Sequence, residues 1–579
     1  MLRLMIGKAG AGKTAAIINE IKRDMASAHG RALMIVPEQY SHEAERELCR
    51  VCGDRLSLYA EVLSFTGLAR ETAAKYGGGA EPWLDKGGRL LCMALALQSV
   101  GSRLRIYSAA QRRAELQALL LSAVDELKSA CIGYDALMTA AASCPDSLGD
   151  KLSDLALILE AYDAAVANGH ADPADRLSIL AGQIDENTDI DANVKIYVDG
   201  FIDFTRQERE ILHAMLRRGA QLTVCLTVDA LDGDNEIFEL SRCAGRELLA
   251  YARELGAETE IVTLSEQSAK APELTVFADN MFSYSSDKYT PARDALRLYR
   301  TESMAAECEQ TAALCLEFVR DGGCRWRDIA VVARGFEDYR GSLESAFRHY
   351  GVPLFTARRD DLMSKPLPAL ISLAYEIVRG GWAVDDVISY MRTGLAGLAP
   401  AECDTLENYI FKWQLQGGAW HRSADWRQHP DGYGCEYIDE TEETLRRVNA
   451  LRRTLAAPLL AFEEASSKAQ TAAQQAEALA GLFEALALPE QLSRRAGELA
   501  QLGDEKTAAE YRQLWDIVVS ALEQCAAVLG DTAMDSGEFS RLFTLMLSKY
   551  DIGTIPVSLD RVSAGDFDRN RRRSIKHLI

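Results

Sequence analysis

Short apolar runs alternate with amphipathic stretches over the first 85 residues of this 579-residue chain. Three runs have the length of buried strands: Leu2–Ile6, Ala32–Val36 and Ala60–Phe65. Each run is followed by apolar residues at helical spacing, so three helices are predicted to extend to about Ile21, Arg50 and Lys75. Strands that alternate with helices favour an α/β domain with a parallel sheet.

A helical block interrupts this pattern. From residue 86 to about 185, apolar positions recur at i, i+3 and i+4, which is typical of amphipathic helices. Strand-like runs return at Val194–Asp199 and Leu222–Leu226. We therefore predict a first α/β core over residues 1–85 and 190–290, with residues 86–189 as a helical insertion.

The second half of the chain repeats this organisation. Leu296–Tyr299 begins a second α/β unit, and a helix (303–320), a strand (328–334) and a helix ending near His349 follow. The chain is again helical from about 370 to 548, with an Ala/Gln/Glu-rich stretch at 466–486 and a break at Pro489. Strand character returns at Val562–Gly565 and Ile575–Ile579.

The predicted fold class is therefore α/β, with two cores that are each interrupted by helices. The second core comprises residues 291–370 and 549–579, and its insertion comprises residues 371–548. Because the chain stops on an apolar run that needs strand neighbours, we expect that it is cut inside this second core.

Composition narrows the class of protein. Hydrophobic residues make up 48% and charged residues 26%, which is typical of a globular protein. No apolar run reaches membrane-spanning length, and the chain leaves no room for a signal peptide before residue 7, so we expect a cytoplasmic protein. The net charge of −22 disfavours a protein that coats nucleic acid, although a motor with a local basic groove stays compatible.

Two smaller features have simple interpretations. The basic residues near the end of the chain are most simply a solvated surface segment: Arg569, Arg571, Arg572, Arg573 and Lys576. Among 13 cysteines, Cys49 and Cys52 form the one close pair, and we expect buried thiols one helical turn apart. We predict neither disulfides nor zinc.

Gly7–Thr14 carries the most specific chemistry, because it fits G-x-x-x-x-G-K-[ST] between a predicted strand and a predicted helix. The backbone N–H groups of Gly7, Gly10, Ala11 and Gly12 would surround phosphate oxygens at a helix N-terminus. Lys13 would reach the β- and γ-phosphates, and the Thr14 hydroxyl would hold Mg²⁺. The sequence therefore predicts that a nucleoside triphosphate binds here together with Mg²⁺.

Asp199 closes an apolar strand where a P-loop ATPase places a carboxylate that organises Mg²⁺. A glutamate that orients the attacking water usually follows, whereas this chain has Gly200. A simple strand-ending Asp-Gly turn explains the same two residues, and spacing alone leaves both interpretations open.

These segments resemble a known family. Gly7–Thr14, Val36–Gln39, Val62–Phe65 and Val198–Phe201 resemble motifs I, Ia, Ib and II of UvrD/Rep-like superfamily 1 helicases. Asp199–Glu208 is similar to the D-G-F-x-x-F-T-P-Q-E of the B subunit of bacterial AddAB (RexAB-like) helicase–nucleases, with Arg206 in place of proline. Further matches to that branch are Met363–Leu367, Leu406–Tyr409 and Asp566–Lys576.

The resemblance implies RecA-like domains 1A and 2A with helical insertions 1B and 2B. It also implies an AddA-like helicase–nuclease partner in a heterodimer, double-stranded DNA ends as substrate, and a B subunit that guides one strand and scans it for a Chi-type sequence. A C-terminal nuclease domain with an iron–sulfur cluster normally follows, and none of these 13 cysteines matches its ligand pattern.

The implied DNA face lies on motifs Ia and Ib and after Asp199. Single-strand binders stack bases on aromatic rings and hold phosphates with hydroxyl, amide and basic groups. The candidates are Gln39, Ser41, Phe65, Thr66, Arg70, Phe201 and Phe204. Core packing is the simpler role for each phenylalanine, as it is for the tryptophans at 413, 420 and 426. The family often has arginine where this chain has Gly67.

Three departures indicate a weakened motor: Gly200 at the glutamate position, no room for a glutamine upstream of Gly7, and no G-D-x-x-Q segment after Leu226. We expect ATP binding with weak or absent hydrolysis. The alternatives are an active superfamily 1 helicase, and a P-loop kinase or nucleotide-gated interaction module without a DNA role.

Overall fold

The computed structural model describes most of the chain. The described residues are 1–26, 31–53, 59–77, 81–108, 113–186, 194–265, 271–280, 289–290, 295–356, 359–553, 560–567 and 575–579. The basic residues at 569–573 lie outside them, whereas Lys576 lies within. Among these residues, no helix is long and apolar enough to span a membrane.

The strands are β1 (Leu2–Gly7), β2 (Arg31–Ile35), β3 (Ala60–Leu63), β4 (Val194–Val198), β5 (Gln221–Thr227), β6 (Thr259–Thr263), β7 (Ile329–Ala333), β8 (Leu354–Thr356), β9 (Arg359–Asp361), β10 (Asp551–Gly553), β11 (Val562–Asp566) and β12 (His577–Leu578).

The helices of the first half are α1 (Lys13–Ala26), α2 (Ser41–Cys52), α3 (Phe65–Tyr76), α4 (Lys86–Val100), α5 (Ala114–Ser129), α6 (Tyr134–Ser143), α7 (Asp146–Val166), α8 (Arg176–Glu186), α9 (Arg206–Arg217), α10 (Glu239–Glu254) and α11 (Pro272–Asn280). Those of the second half are α12 (Met304–Arg320), α13 (Phe336–His349), α14 (Pro366–Gly380), α15 (Val384–Arg392), α16 (Pro400–Trp413), α17 (Gly418–His421), α18 (Asp439–Lys468), α19 (Ala472–Ala485), α20 (Leu488–Gln501), α21 (Glu505–Leu529) and α22 (Ser536–Leu547).

Within the described residues, six parallel strands form the first sheet in the order β3-β2-β4-β5-β1-β6. Apolar side chains cover both faces, which is why its inner strands read as continuous apolar runs. The edge strand β6 has no counterpart in the predicted elements. Its residues are mostly exposed and polar, so an edge strand of this kind lacks the apolar signal.

Helices α4 to α7 build a separate apolar core. Helix α8 lies within the predicted insertion by sequence, but its apolar face packs with the first sheet. Its residues Leu180, Ala181 and Ile184 are buried in the same core as α9 and α10. The predicted helical block therefore divides between two cores.

The second sheet has the order β12-β7-β11-β8 among the described residues, and its pairs are parallel. Helices α12 and α13 pack on it. The start predicted at Leu296–Tyr299 is wrong, because the structure gives these residues no strand and Leu298 is 96% exposed. Among the described residues of this unit, the first regular element is α12, which begins after the capping residue Ser303.

Helices α14 to α22 surround one large apolar core. The packing interpretation of the tryptophans is confirmed for Trp420 and Trp426, which are buried and in ring contact, while Trp413 is half-buried at the edge. Pro489 lies in the first turn of α20, where proline is well tolerated, so the predicted break separates α19 from α20.

The prediction of buried thiols at Cys49 and Cys52 is wrong. Both residues lie near the C-terminal end of α2, but Cys49 is exposed and Cys52 is only partly covered. Since α2 buries little beyond Ala44 and Leu48, its last turn lies on the surface. The 13 cysteines are all free thiols.

Helix α4 joins the two halves of the molecule. It is buried almost all round: Met93 and Leu97 enter the core of α4–α7, whereas Leu91 and Ala94 enter the core of α14–α22. Just before the helix, the Asp85 carboxylate accepts a hydrogen bond from the hydroxyl of Tyr550 at 2.5 Å. The two helical bodies are therefore packed together through one shared helix.

Glycine makes this close approach of α4 feasible. A Cβ atom on Gly87 would lie 2.5 Å from both the Cγ of Met546 and the hydroxyl oxygen of Tyr550. A Cβ atom on Gly88 would lie 2.5 Å from the side-chain oxygen of Gln524. Neither glycine can gain a methyl group unless these side chains move.

We expect Gly87→Ala to lower the melting temperature, because overpacking costs about 1–3 kcal/mol and displaces Tyr550 from Asp85. The matched control is Gly182→Ala on the exposed face of α8, where nothing lies within 4 Å of the new methyl group. That change should raise stability by up to about 1 kcal/mol, since alanine favours helix. Equal melting temperatures of the two variants in calorimetry would contradict the role given to α4.

Candidate functional site: a phosphate loop and its neighbours

Helix α1 is fixed on the first sheet by apolar and ionic contacts. Its isoleucines at 17, 18 and 21 are buried. Arg3 of β1 donates to both carboxylate oxygens of Glu20, at 3.1 and 2.5 Å, and Lys195 of β4 pairs with Asp24 at 2.8 Å. These contacts hold the N-terminus of α1 at the carboxyl end of β1, where the Gly7–Thr14 loop connects the two elements.

Glycines give this loop its shape. Gly10 and Gly12 have φ values of 85° and 83°, a region that disfavours other residues. A Cβ atom on Gly7 would lie 2.6 Å from the carbonyl oxygen of Leu264, so no side chain fits where the loop passes the residue after β6. Ala11 is buried, while residues 8–10 are exposed. The loop thus has the conformation and surface exposure that a phosphate cradle needs.

Lys13 lies folded over the loop, and its side chain is largely buried. The ammonium group donates to the carbonyl oxygens of Gly7 at 2.5 Å and Lys8 at 2.9 Å. Such a cation, held at the mouth of a helix N-terminus, can exchange carbonyl oxygens for phosphate oxygens with little desolvation.

Asp199 points directly at the loop. The Thr14 hydroxyl donates to its Oδ2 at 2.6 Å, and the Asp199 residue is only 3% exposed. The backbone N–H of Asp199 donates to Ile35 of the neighbouring strand at 3.0 Å, which continues the ladder of β2 and β4. A hydroxyl and a carboxylate in contact are oxygen ligands that suit Mg²⁺, with phosphate oxygens and water as the others.

The two interpretations of the Asp-Gly pair are both compatible with this geometry. Gly200 has φ of 88°, so the chain does turn there, while the Asp199 side chain reaches the phosphate loop. No group of three or more His, Cys, Asp or Glu side chains among the described residues could hold a metal by itself. A Mg²⁺ ion here would therefore depend on the nucleotide for most of its ligands.

The position of the missing glutamate is shaped by this turn. Because Gly200 lies in the left-handed region, a glutamate there would be strained as well as differently oriented.

Beneath the loop, burial raises the pKa of the Cys225 thiol, and the nearby Asp199 charge raises it further. This thiol therefore stays protonated, and no motif in the sequence marks it.

The predicted DNA-contact residues at 39, 41, 66 and 70 lie at or near the surface. Gln39 is exposed on the single turn Glu38–Tyr40, and the partly exposed Ser41 donates its hydroxyl to the carbonyl oxygen of Glu38 at 2.8 Å. Thr66 is half-buried in the first turn of α3, and Arg70 is exposed one turn later. The structure brings these two segments together, since α3 packs against the Glu38–Tyr40 turn.

The three phenylalanines form one cluster, with ring centroids 5.4 Å apart for Phe65–Phe201 and 5.2 Å for Phe201–Phe204. Phe65 and Phe204 are only 3% and 2% exposed and belong to the core of the first sheet. Base stacking needs an exposed ring face, so Phe65 and Phe204 act in packing, and only the half-buried Phe201 offers an accessible ring.

Several residues of the Asp199–Glu208 motif are explained by folding. Thr205 accepts from the backbone N–H of Glu208 at 3.2 Å, and Glu208 accepts from that of Thr205 at 2.8 Å, a capping box that starts α9. Gln207 donates to Ala174 and Ser178, which ties α9 to α8. Arg206 occupies the first helical position, which accommodates either proline or arginine.

The comparisons with known proteins agree with this picture. Residues 4–277 match a sequence family described as "ADDB, N-terminal". A curated protein of Desulforudis audaxviator, named as the B subunit of an ATP-dependent helicase/deoxyribonuclease, is 32% identical over 99% of this chain and 51% of that protein. The chain is homologous to these B subunits. Proteins of the same name from Acetivibrio thermocellus and Clostridium acetobutylicum are 29% and 27% identical, each over 100% of this chain and 51% of the relative.

These matches confirm the resemblance to the B subunits that the motifs indicated. The chain spans about half the length of the curated relatives that it matches. The match to the N-terminal family covers the first sheet, α4 to α10 and most of α11.

We expect Asp199→Asn to weaken Mg²⁺-dependent ADP binding roughly 10–100-fold, because it removes the charge that faces Thr14. Binding in EDTA should change little, since Lys13 and the loop N–H groups remain. The control is Asp203→Asn, an exposed carboxylate four residues later. Calorimetric titration of ADP with and without Mg²⁺ measures both, and equal loss in both conditions would contradict a metal role for Asp199.

Proposed function

We propose that this chain is the helicase-like N-terminal portion of the B subunit of an ATP-dependent helicase/deoxyribonuclease. In this proposal it binds ATP·Mg²⁺ with weak or no hydrolysis and guides single-stranded DNA while double-strand breaks are processed for recombination. The observation that carries the proposal is the contact of Thr14 with Asp199 beside Lys13, in a chain homologous to such B subunits over its whole length.

The nucleotide site is assigned to Gly7, Gly10, Ala11, Gly12, Lys13 and Thr14, with Thr14 and Asp199 holding Mg²⁺ when nucleotide is bound. Glycine conformations, the buried ammonium and the hydroxyl–carboxylate contact support this assignment. The metal would supply charge neutralisation between the phosphates. The chain's own residues would position the nucleotide on α1.

Weak hydrolysis follows from what borders the site. Gly200 provides no group to orient a water molecule, and its backbone turn would misdirect a side chain placed there. In similar sites, a side chain that orients the attacking water accounts for several orders of magnitude in the rate of hydrolysis. Binding without turnover is the function that these residues support best.

The two parallel sheets are proposed to be RecA-like domains 1A and 2A, and the helical bodies 1B and 2B. In this assignment 1A comprises residues 1–85 and 190–290, 1B 86–189, 2A 291–370 and 549–579, and 2B 371–548. Each sheet is interrupted in sequence by helices, which supports the assignment, while the packing of α8 on the first sheet favours placing that helix with 1A.

The relatives' name supports a multi-subunit assembly. We propose a heterodimer with an AddA-like helicase–nuclease subunit that unwinds double-stranded DNA ends. An iron–sulfur cluster is expected only in a C-terminal nuclease portion of the full-length protein. The proposal for this chain is limited to guiding the strand, because the family often has an arginine where this chain has Gly67.

The DNA face is assigned to the Glu38–Tyr40 turn and the start of α3. Gln39 and Arg70 are exposed on adjoining segments, and Ser41, Thr66 and Phe201 are partly accessible nearby. An amide, hydroxyls, a guanidinium and one open ring face are the groups that hold a single strand.

The matching experiment is binding of a single-stranded oligonucleotide of about 20–30 nucleotides, long enough for one site, across a salt series. We expect log affinity to fall linearly with log salt concentration, because phosphate contacts release counterions. Gln39→Ala should weaken binding at every salt concentration without changing the slope, since an amide carries no charge.

Gln501→Ala, on an exposed position at the end of α20, is the matched control and should bind as wild type. Absence of salt-dependent binding, with the AddA-like partner present, would contradict the DNA role and favour the nucleotide-gated interaction module.

A further inference from the structure

A second cationic group lies beside the proposed DNA face, at the neck of the first helical body. Here the chain enters and leaves that body side by side: the N–H of Leu84 donates to Ala171 at 3.0 Å, and that of Ala171 donates to Pro82 at 3.1 Å. Trp83 and Arg176 flank this junction, and the guanidinium carbon of Arg176 lies 4.4 Å from the ring centroid of Trp83. The indole face thus supports the guanidinium.

Hydrogen bonds and ion pairs fix the residues that precede and follow Arg176. Before it, the buried Asp172 accepts the backbone N–H of Ala174 at 3.0 Å and pairs with Arg89 and Lys128. Around it, Gln207 of α9 donates to the carbonyl oxygen of Ala174 at 2.8 Å and to the hydroxyl of Ser178 at 2.9 Å. The backbone that carries Arg176 is therefore fixed on both sides, and its guanidinium lies against the Trp83 ring.

The charge of Arg176 is incompletely balanced. Its Nε atom is buried without a hydrogen-bond partner, and in the described part of the chain neither Arg70 nor Arg176 has an ion-pair partner within 4.0 Å. Burial, and then the positive charge of Arg70, lower the pKa of Arg176, while Glu38 opposes them. Helix α3, which carries Arg70, packs against α8, which begins at Arg176, and against the turn that carries Glu38. The two guanidinium groups therefore share one region.

A phosphodiester fits this arrangement better than other anions. Guanidinium groups bind phosphate oxygens through paired N–H donors, and two of them at one anion offset their mutual repulsion. Arg70 and Gln39 lie on segments assigned to the DNA face, so a strand that crosses this face would pass the neck next.

We propose that Arg70 and Arg176 together bind one phosphodiester group of single-stranded DNA, with Trp83 as the positioning residue for Arg176. The inference rests on the proposed function and adds a contact from the neck of the helical body. In this arrangement the first α/β unit and the first helical body contact the same DNA strand.

The test measures binding of the same labelled single strand to the full chain over a salt series. Arg176→Gln and Arg70→Gln should each weaken binding about tenfold at low salt, the effect of losing a charge-assisted hydrogen bond. The double variant should reduce the magnitude of the log–log salt slope by about 0.7, the value for one phosphate of single-stranded DNA. Arg320→Gln, which removes an exposed guanidinium of α12, should leave both quantities unchanged.

Two variants of Trp83 test its positioning role. Trp83→Phe keeps a ring beneath Arg176 and should bind as wild type, whereas Trp83→Ala should resemble Arg176→Gln at an unchanged melting temperature. Equal affinity of Trp83→Ala and Trp83→Phe would overturn the positioning role.

The outcomes separate this inference from the proposed function. Wild-type binding that persists unchanged in the double variant overturns the inference and leaves the DNA role standing. Absent wild-type binding overturns both. A loss of ADP affinity in the double variant, with DNA binding intact, would assign the pair to a nucleotide phosphate and also overturn the inference.

Discussion

The packing of α4 against two helical bodies is the constraint on which the arrangement of this molecule depends. One face of the helix completes the core of α4–α7, and the opposite face completes the core of α14–α22. Gly87 and Gly88 permit the close approach, and the Asp85–Tyr550 hydrogen bond fixes the start of the helix. Since each body is also connected to a sheet by the chain, this interface limits how far the two sheets can move apart.

That constraint bears on the phosphate loop. A motor of two α/β cores works by opening and closing around nucleotide. Here Lys13 donates to carbonyl oxygens of the phosphate loop, and Thr14 donates to Asp199 at the end of a neighbouring strand. Both partners belong to the first α/β unit. On the proposed account, nucleotide exchanges with these local partners and the helical bodies stay packed. The site is then a binding site whose occupancy stabilises the first sheet near the proposed DNA face.

The phosphate loop could be predicted from the sequence because the residues that shape it are adjacent in the chain. Sequence reasoning also reached Asp199, since the strand that it ends reads as an apolar run. It missed β6, where an edge strand has no apolar pattern, and it misplaced the start of the second unit at Leu296–Tyr299, whose apolar residues lie on the surface. Periodicity identified α8 as a helix but could not say which core would bury its apolar face.

The same limits apply to the candidate site. Phe65 and Phe204 match a DNA-contact motif, yet only the tertiary structure shows that their rings are buried. The T-x-x-E spacing of Thr205 and Glu208 is a capping signal, although the same residues also belong to the family motif. Trp83 and Arg176 meet only because the neck segments pair, and no local pattern marks that contact.

The central claim is that the phosphate loop holds nucleotide in a motor that no longer turns over. The most direct measurement is ATP hydrolysis by the purified chain with saturating single-stranded DNA, compared with Lys13→Ala, after ADP binding to the wild type has been verified. The account predicts the same background rate for both proteins. DNA-stimulated turnover by the wild type that Lys13→Ala abolishes would contradict it and establish an active helicase motor.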